Sequence, residues 1–384
     1  MTRERPSKAK LSKLISRFTG LSFLKHTFRA WRSHRVDLDG DRPQKEFSGC
    51  DNVPIRIVCD DSVTGSDIPA SNLPANEVQH RITSLTDELT LLDLGEDVLI
   101  DRFLSGDSGY LRAITKAAEN QYVIQGVLGS GSFSKVKLAL DKYSGRHVAI
   151  KMISLMDIQL SLRLRKTIIR EIQILRTIRH PHIVSFYEVT VIGRSIGLVM
   201  EYVAAVELFQ HVTETRKLSE SETKCILRQL LLALEYLHSL GVAHRDLKLE
   251  NILIQKTLLG PVIRLIDFGL ARSFESSTGL MTTRCGSEEY AAPEVILGQP
   301  YDGRLSDLWS IGVITYACIL GALPFNPDAG KPRSMIDKIL NIKYQLSNEW
   351  VSANAAAFIR SLLVRDPKLR PTTTQLLRHP FLCK

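Results

Sequence analysis

A change of period at Glu207 constrains this chain more than any other feature. Before it, in "YVIQGVLGSGSFSKVKLALDKYSGRHVAIKMI" from Tyr122, β-branched and aromatic residues alternate around GSG and SGR turns. That pattern reads as strand, glycine turn, strand, turn, strand. A basic helix is expected from roughly Ile158 to Ile178, and "IVSFYEVTV" and "SIGLVMEYV" read as a hairpin about Ile192 to Arg194, completing a five-stranded antiparallel sheet. After Glu207 the apolar residues recur at helical spacing, as in "SETKCILRQLLLALEYLHSLG" with its glycine stop, and helices dominate to Lys384. A small sheet-rich part, 122–201, followed by a larger helical part, 204–381, is a two-lobed α+β layout without internal repeats.

Residues before Tyr122 have a different character. Ten Lys or Arg against Glu4 give residues 1–35 a net +9, whereas sixteen acids against five bases give 36–107 a net −11. About +11 remains on 108–384, too thinly spread for a nucleic-acid groove, so no specific nucleic acid is expected as a partner. The basic arm at 1–35 interleaves its charges with Leu14, Ile15, Phe18, Leu21, Phe23, Leu24, Phe28 and Trp31. An anionic membrane surface or an acidic partner suits that mixture. A mitochondrial transit peptide, a disordered basic tail, or pairing with the acidic segment fits it as well. Deleting 1–107 and assaying location and activity separates these. Within 36–107, a Pro-, Gly- and Ser-rich linker precedes Ile82, Leu85, Leu89 and Leu92, whose spacing predicts one or two short acidic amphipathic helices. Six cysteines without CxxC pairs, no secretory leader and no apolar run of about 18 residues predict a soluble chain with reduced thiols. A cytoplasmic location is expected, with nuclear or membrane-peripheral ones as variants.

Three stretches carry chemistry. "GSGSFSKV" from Gly129 sits on a strand-turn-strand, where glycines let backbone amides approach phosphates, although an ordinary hairpin has the same look. Lys151 ends the apolar strand "VAIK"; directed inward, its ammonium needs an anion, and Glu171 on the following helix supplies one, whereas a solvated lysine needs none. "GVAHRDLKLENILIQ" interrupts an apolar run with six polar groups in eight positions, either a surface turn or a reaction centre. In a reaction centre Asp246 aligns or deprotonates an attacking hydroxyl and Lys248 offsets charge on a migrating phosphoryl group. Asn251 and, sixteen residues on, Asp267 of "LIDFG" offer oxygens to Mg²⁺.

In order, GSGSFSKV, VAIK, Glu171, HRDLKLEN, DFG and "AAPE", extended by "DLWSIG" and "RDPKLRP", resemble the eukaryotic protein kinase family over about Tyr122 to Phe381. The resemblance implies a bilobal kinase fold, an N-lobe sheet with one main helix above a mostly helical C-lobe, using ATP and Mg²⁺. It implies catalytic roles for Asp246, Lys248, Lys151 and Glu171, and metal-binding roles for Asn251 and Asp267. Nucleotide contacts fall to Leu128, Gly129, Gly131, Ser132, Val136, Ala149 and Leu253, with Glu201 and Val203 as hinge groups and Met200 as gatekeeper. Asp307 is expected to steady the catalytic loop and Glu294 to pair with Arg370. His244, Phe268, Leu175 and Phe186 match the column that links the lobes. Arg245 calls for an anion, most simply a phosphate on Thr283, or on Thr282 beside it.

Lys248 and Ser287 resemble serine/threonine kinases, and "GSEEYAAPE", "GVITYACILGALPF" and "RHPFL" resemble the calmodulin-dependent and AMP-activated group. The expected partners are protein substrates and an upstream activating kinase. Glu207 and Glu250, at the edge of the nucleotide site, match acids that contact a basic residue before the target, predicting Arg three residues upstream. Ser134 replaces the third glycine of the turn, which predicts slower nucleotide exchange, and Val206 replaces a customary glycine at the ribose edge. Cys285 is read as a small residue rather than a redox switch. With "RHPFLCK" read as the end, regulation is expected from the arm, the activation segment or a partner. The reading from another class is a pseudokinase scaffold, against which all four of Lys151, Asp246, Asn251 and Asp267 count.

Overall fold

The structure, a computed structural model, describes residues 118–131, 133–274, 280–328, 333–346 and 350–383. The arm, the acidic segment with its expected helices, and Ser132 lie outside them. The N-lobe sheet comprises β1 (Tyr122–Ser130), β2 (Ser134–Asp141), β3 (His147–Ser154), β4 (Phe186–Ile192) and β5 (Ser195–Glu201). Its order is β1-β2-β3-β5-β4, every pair antiparallel. Directly opposed residues share a face. Val136 opposes Lys151, and Ala149 opposes both Leu138 and Met200.

The expected single helix from Ile158 to Ile178 is two helices, α1 (Leu155–Leu160) and α2 (Leu162–Thr177). Ser161 divides them: its extended backbone ends the first, and its side chain accepts the Leu164 N–H at 3.2 Å to cap the second. The buried face of α2, Ile168, Glu171, Ile172, Ile174 and Leu175, recurs at helical spacing and includes one charge.

The C-lobe holds β6 (Val206–Glu207), α3 (Leu208–Thr215), α4 (Glu220–Ser239), β7 (Val242–Ala243), β8 (Ile252–Thr257), β9 (Gly260–Leu265), β10 (Arg272–Ser273) and β11 (Leu280–Met281). After these come α5 (Pro293–Leu297), β12 (Tyr301–Asp302), α6 (Gly303–Leu320), α7 (Ser334–Leu340), α8 (Ala353–Leu362), α9 (Thr373–Leu377) and α10 (Pro380–Cys383). Helix α6 is buried along nearly its whole length, mostly by apolar side chains, as befits a central helix. Each of Ile311, Val313 and Ile314, fully removed from water, contributes about 1.5–3 kcal/mol. The helix ends at Gly321, φ +70°, where a Cβ would lie 1.7 Å from the Arg216 carbonyl oxygen, so only glycine fits. One hydrophobic core runs from α2, Phe186 and Leu198 through Leu247 and Phe268 to α4 and α6. A smaller one, Tyr122, Ala139, Val148, Ile150 and Val199, belongs to the sheet alone.

Candidate active site

β3 delivers Lys151 and α2 delivers Glu171; their charged ends meet at 2.6 Å. The same ammonium donates to Oδ1 of Asp267 at 2.9 Å, so residues 116 apart in sequence close on one atom. Burial opposes charge on Lys151, but its two carboxylate partners outweigh it and hold the lysine above its ordinary pKa. Asp267 is half exposed; the protein around it removes some of its water, which works against charge, but Lys151 with the Gly269 N–H overcomes this and brings the carboxyl down to about 2. Glu171 is pushed up by burial more than Lys151 pulls it down.

The loop between β7 and β8 carries the second cluster. Oδ2 of Asp246 accepts from Lys248 Nζ at 2.8 Å and Asn251 Nδ2 at 3.1 Å, and Oδ1 accepts from the Ser287 N–H at 3.0 Å and its hydroxyl at 3.1 Å. Lys248 Nζ also donates to Ser287 Oγ at 3.1 Å. The sequence places this loop through Asp307 on α6, whose buried carboxylate accepts the backbone N–H groups of His244 at 3.0 Å and Arg245 at 2.8 Å. Both Arg245 (φ +68°) and Asp267 (φ +59°) hold left-handed backbone, strain of the kind that persists where surrounding structure over-determines a site. Leu175, Phe186, His244 and Phe268 are all buried, with the last two rings edge to face at 5.0 Å.

Leu128, Val136, Ala149, Met200 and Leu253 are all incompletely buried. Ala149 lies between buried Val148 and Ile150, and Leu253 between buried Ile252 and Ile254. This alternation turns an apolar surface toward an open cleft. Gly129 opposes Val136 at an irregularity in β1, and Gly131 donates its N–H to the Ser134 carbonyl, closing the turn. In the hinge, the Val203 carbonyl accepts from Ala205 N–H and the Glu201 N–H donates to Ser185 O. Glu201 has a side-chain role that sequence reasoning missed: its carboxylate accepts the Ser185 N–H at 3.1 Å and pairs with Arg264 of β9 at 3.4 Å. Glu294 and Arg370 form a buried bidentate pair at 2.7 and 2.9 Å.

Thr282 and Thr283 are exposed. Near them Arg245 donates to the sulfurs of Cys285 at 2.6 Å and Met281 at 3.5 Å, weak acceptors, and its buried Nε has no hydrogen-bond partner. Arg170 of α2 has its pKa lowered by burial and then by repulsion from Arg272 of β10 and from Arg245. Sequence reasoning missed the mutual repulsion of these three arginines, because single arginines on three elements carry no local signature. It also missed Glu289. Burial raises the pKa of Glu250 first, and the charges of Glu207 and Glu289 raise it further while Lys248 lowers it. Glu207 is likewise raised by burial against Lys248. These three acids thus form one negative field, and Glu250 Oε2 is buried without a partner.

No cluster of three His, Cys, Asp or Glu able to hold a metal occurs among the described residues. A cation here would have one carboxylate, Asp267, and one amide, Asn251, to hold it. Asn251 fits that task, since its Nδ2 is spent on the Asp246 carbonyl at 2.8 Å and carboxylate, which leaves the amide oxygen for a hard cation.

Residues 122–382 match the family model for the protein kinase domain, and the chain belongs to that family. Among curated relatives, it is 38% identical over 264 residues to human NUAK family SNF1-like kinase 1, covering 68% of this chain and 38% of the relative. It is 42% identical over 260 residues to the SNF1-related protein kinase catalytic subunit alpha KIN12 of Arabidopsis thaliana, covering 68% and 51%. To the SNF1-like protein kinase ssp2 of Schizosaccharomyces pombe it is 37% identical over 269 residues, covering 70% and 45%. These likenesses place the domain with the SNF1 and AMP-activated group; the match spans only 38% to 51% of the relatives' own lengths.

Proposed function

We propose that this chain transfers the γ-phosphoryl group of ATP to serine or threonine hydroxyls of protein substrates. One observation carries the reading: Lys151, Glu171 and Asp267 close on one atom, while Lys248, Asn251 and Ser287 surround the carboxylate of Asp246. Lys151 has three donors and spends two, leaving one for a nucleotide phosphate. Mg²⁺, held by Asn251 and Asp267, offsets phosphate charge when bound. Ser287 accepts from Lys248 and donates to Asp246, so a hydroxyl fits between them; a substrate hydroxyl seated similarly donates its proton to Asp246 as its oxygen bonds to the γ-phosphorus and the bond from that phosphorus to the bridging oxygen breaks, releasing ADP. Lys248 then faces the charge on the migrating group. Transfer of γ-phosphate to a basic peptide should fall about 10²–10⁴-fold in Asp246→Asn. Equal transfer by the variant refutes the assignment and leaves a scaffold.

Specificity and activation follow from two unmet charges. The field of Glu207, Glu250 and Glu289 selects a substrate with Arg three residues before the target, its guanidinium meeting the unpartnered Glu250 oxygen. Arg245, Arg170 and Arg272 receive a phosphate placed on Thr283 by an upstream kinase or by the chain itself, which supplies the anion their repulsion calls for.

A further inference from the structure

The face of the N-lobe sheet turned away from Lys151 carries a cavity of about 330 Å³. Because Val136 opposes Lys151, the neighbours on either side of it, Lys135 and Lys137, lie on the other face, opposite Met152 and Ile150. Residues two apart on a strand stand about 6.6 Å from each other, so the two ammonium groups project side by side. Both line the cavity with Met152, Ser154, Asp157 and Ser195. Two cations against one carboxylate leave it positive. Neither lysine has an ion pair among the described residues, and nothing in phosphoryl transfer uses this face. The cavity reaches the glycine turn through Gly131 and Phe133, and Phe133 is itself 62% exposed.

We propose that this cavity is the docking site for the chain's own acidic segment 87–107. That segment carries seven acids against the single base Arg102, interspersed with Leu89, Leu92, Val98, Phe103 and other apolar residues. It therefore brings both the carboxylates for Lys135 and Lys137 and apolar side chains for Met152 and Phe133. The tether allows it. β1 starts at Tyr122, opposite Asp141, and Lys137 lies four residues back along β2, about 13 Å away. From Asp107 to Ala118 the chain can span up to about 36 Å. Docking there sets a segment of the chain against the outer wall of the phosphate-binding turn.

The test is made on the full chain and reads contacts, so it stands apart from whether the protein transfers phosphate. A zero-length carbodiimide joins an amine to a carboxylate it touches; an equal mixture of isotopically light and heavy chains is treated, digested and mapped. Lys135 or Lys137 joined to an acid between Asp87 and Asp107 within one chain is the expected result. A map in which neither lysine joins that segment, because its acids are bound instead to Lys8, Lys10, Lys13 or Lys25 of the arm or to nothing, overturns the proposal. So does joining found only between light and heavy chains. Chymotrypsin should also cut between Leu89 and Leu104 several-fold faster in Lys135→Glu/Lys137→Glu than in wild type, and equal rates count against docking.

Discussion

Every oxygen of the Asp246 carboxylate is engaged before a substrate arrives, Oδ1 by Ser287 and Oδ2 by Lys248 and Asn251. Orientation prepared in this way is entropy that the reaction step need not lose. The acids beside it give a pH signature. Glu207 and Glu250 have pKa values raised above the ordinary 4.5, chiefly by burial, so both take up protons sooner than exposed carboxylates do as pH falls. The KM for a peptide with Arg three residues before its serine should therefore climb at pH values still above 4.5, while that for an Ala-substituted peptide changes little. Glu250→Gln should erase the difference between the two peptides; an unchanged ratio removes Glu250 from recognition. Lys151, Glu171, Asp246, Asn251 and Asp267 were legible because their order along the chain is itself informative. Arg170, Arg272, Glu289 and the Glu201–Arg264 pair were not, since each gains meaning only from a neighbour remote in sequence.

Among elements, the activation segment depends most on what is added to it. It pairs through β10 with β7 and through β11 with β12, its Thr283 carbonyl accepts the Tyr301 hydroxyl at 3.0 Å, and the exposed threonine lies in the chain between Met281 and Cys285, both of which Arg245 reaches. Thr283→Ala should lower kcat strongly in phosphorylated preparations and leave the unphosphorylated enzyme's activity unchanged; full activity after phosphorylation would refute control at this site. Helix α5 is tied down differently. Arg370, wholly buried, has Glu294 as its countercharge, and Glu294→Gln should cost about 3–5 kcal/mol in chemical denaturation because it strands that charge. Replacing both partners by apolar residues should cost less. The sheet was readable from alternation and glycine turns, and α4 from its periodic apolar face. The break at Ser161 was not: the basic, apolar pattern runs through it, and one side-chain hydrogen bond to Leu164 decides where the second helix starts.

At the scale of the molecule, the two lobes share one hydrophobic core and meet around the cleft, with the hinge stiffened by Glu201 reaching Arg264. Ligand binding at such a junction stabilises both halves. Mg²⁺ with ATP at about a hundredfold its Kd should add about 2.7 kcal/mol to unfolding, read as a rise in Tm. In Asp267→Asn the nucleotide's effect should shrink, whereas ATP without the metal should give little in either protein. The α+β layout was legible because strands and helices are segregated along the chain. Which faces close on one another was not, because partners such as Arg264 of β9 for Glu201 and Ser287 for Asp246 are remote in sequence. The shared ammonium of Lys151 has a last consequence. It works as a logical conjunction: its charge is fully matched only when α2 and the loop after β9 keep their places together, so an agent that shifts either one, from any direction, is registered at the same nitrogen.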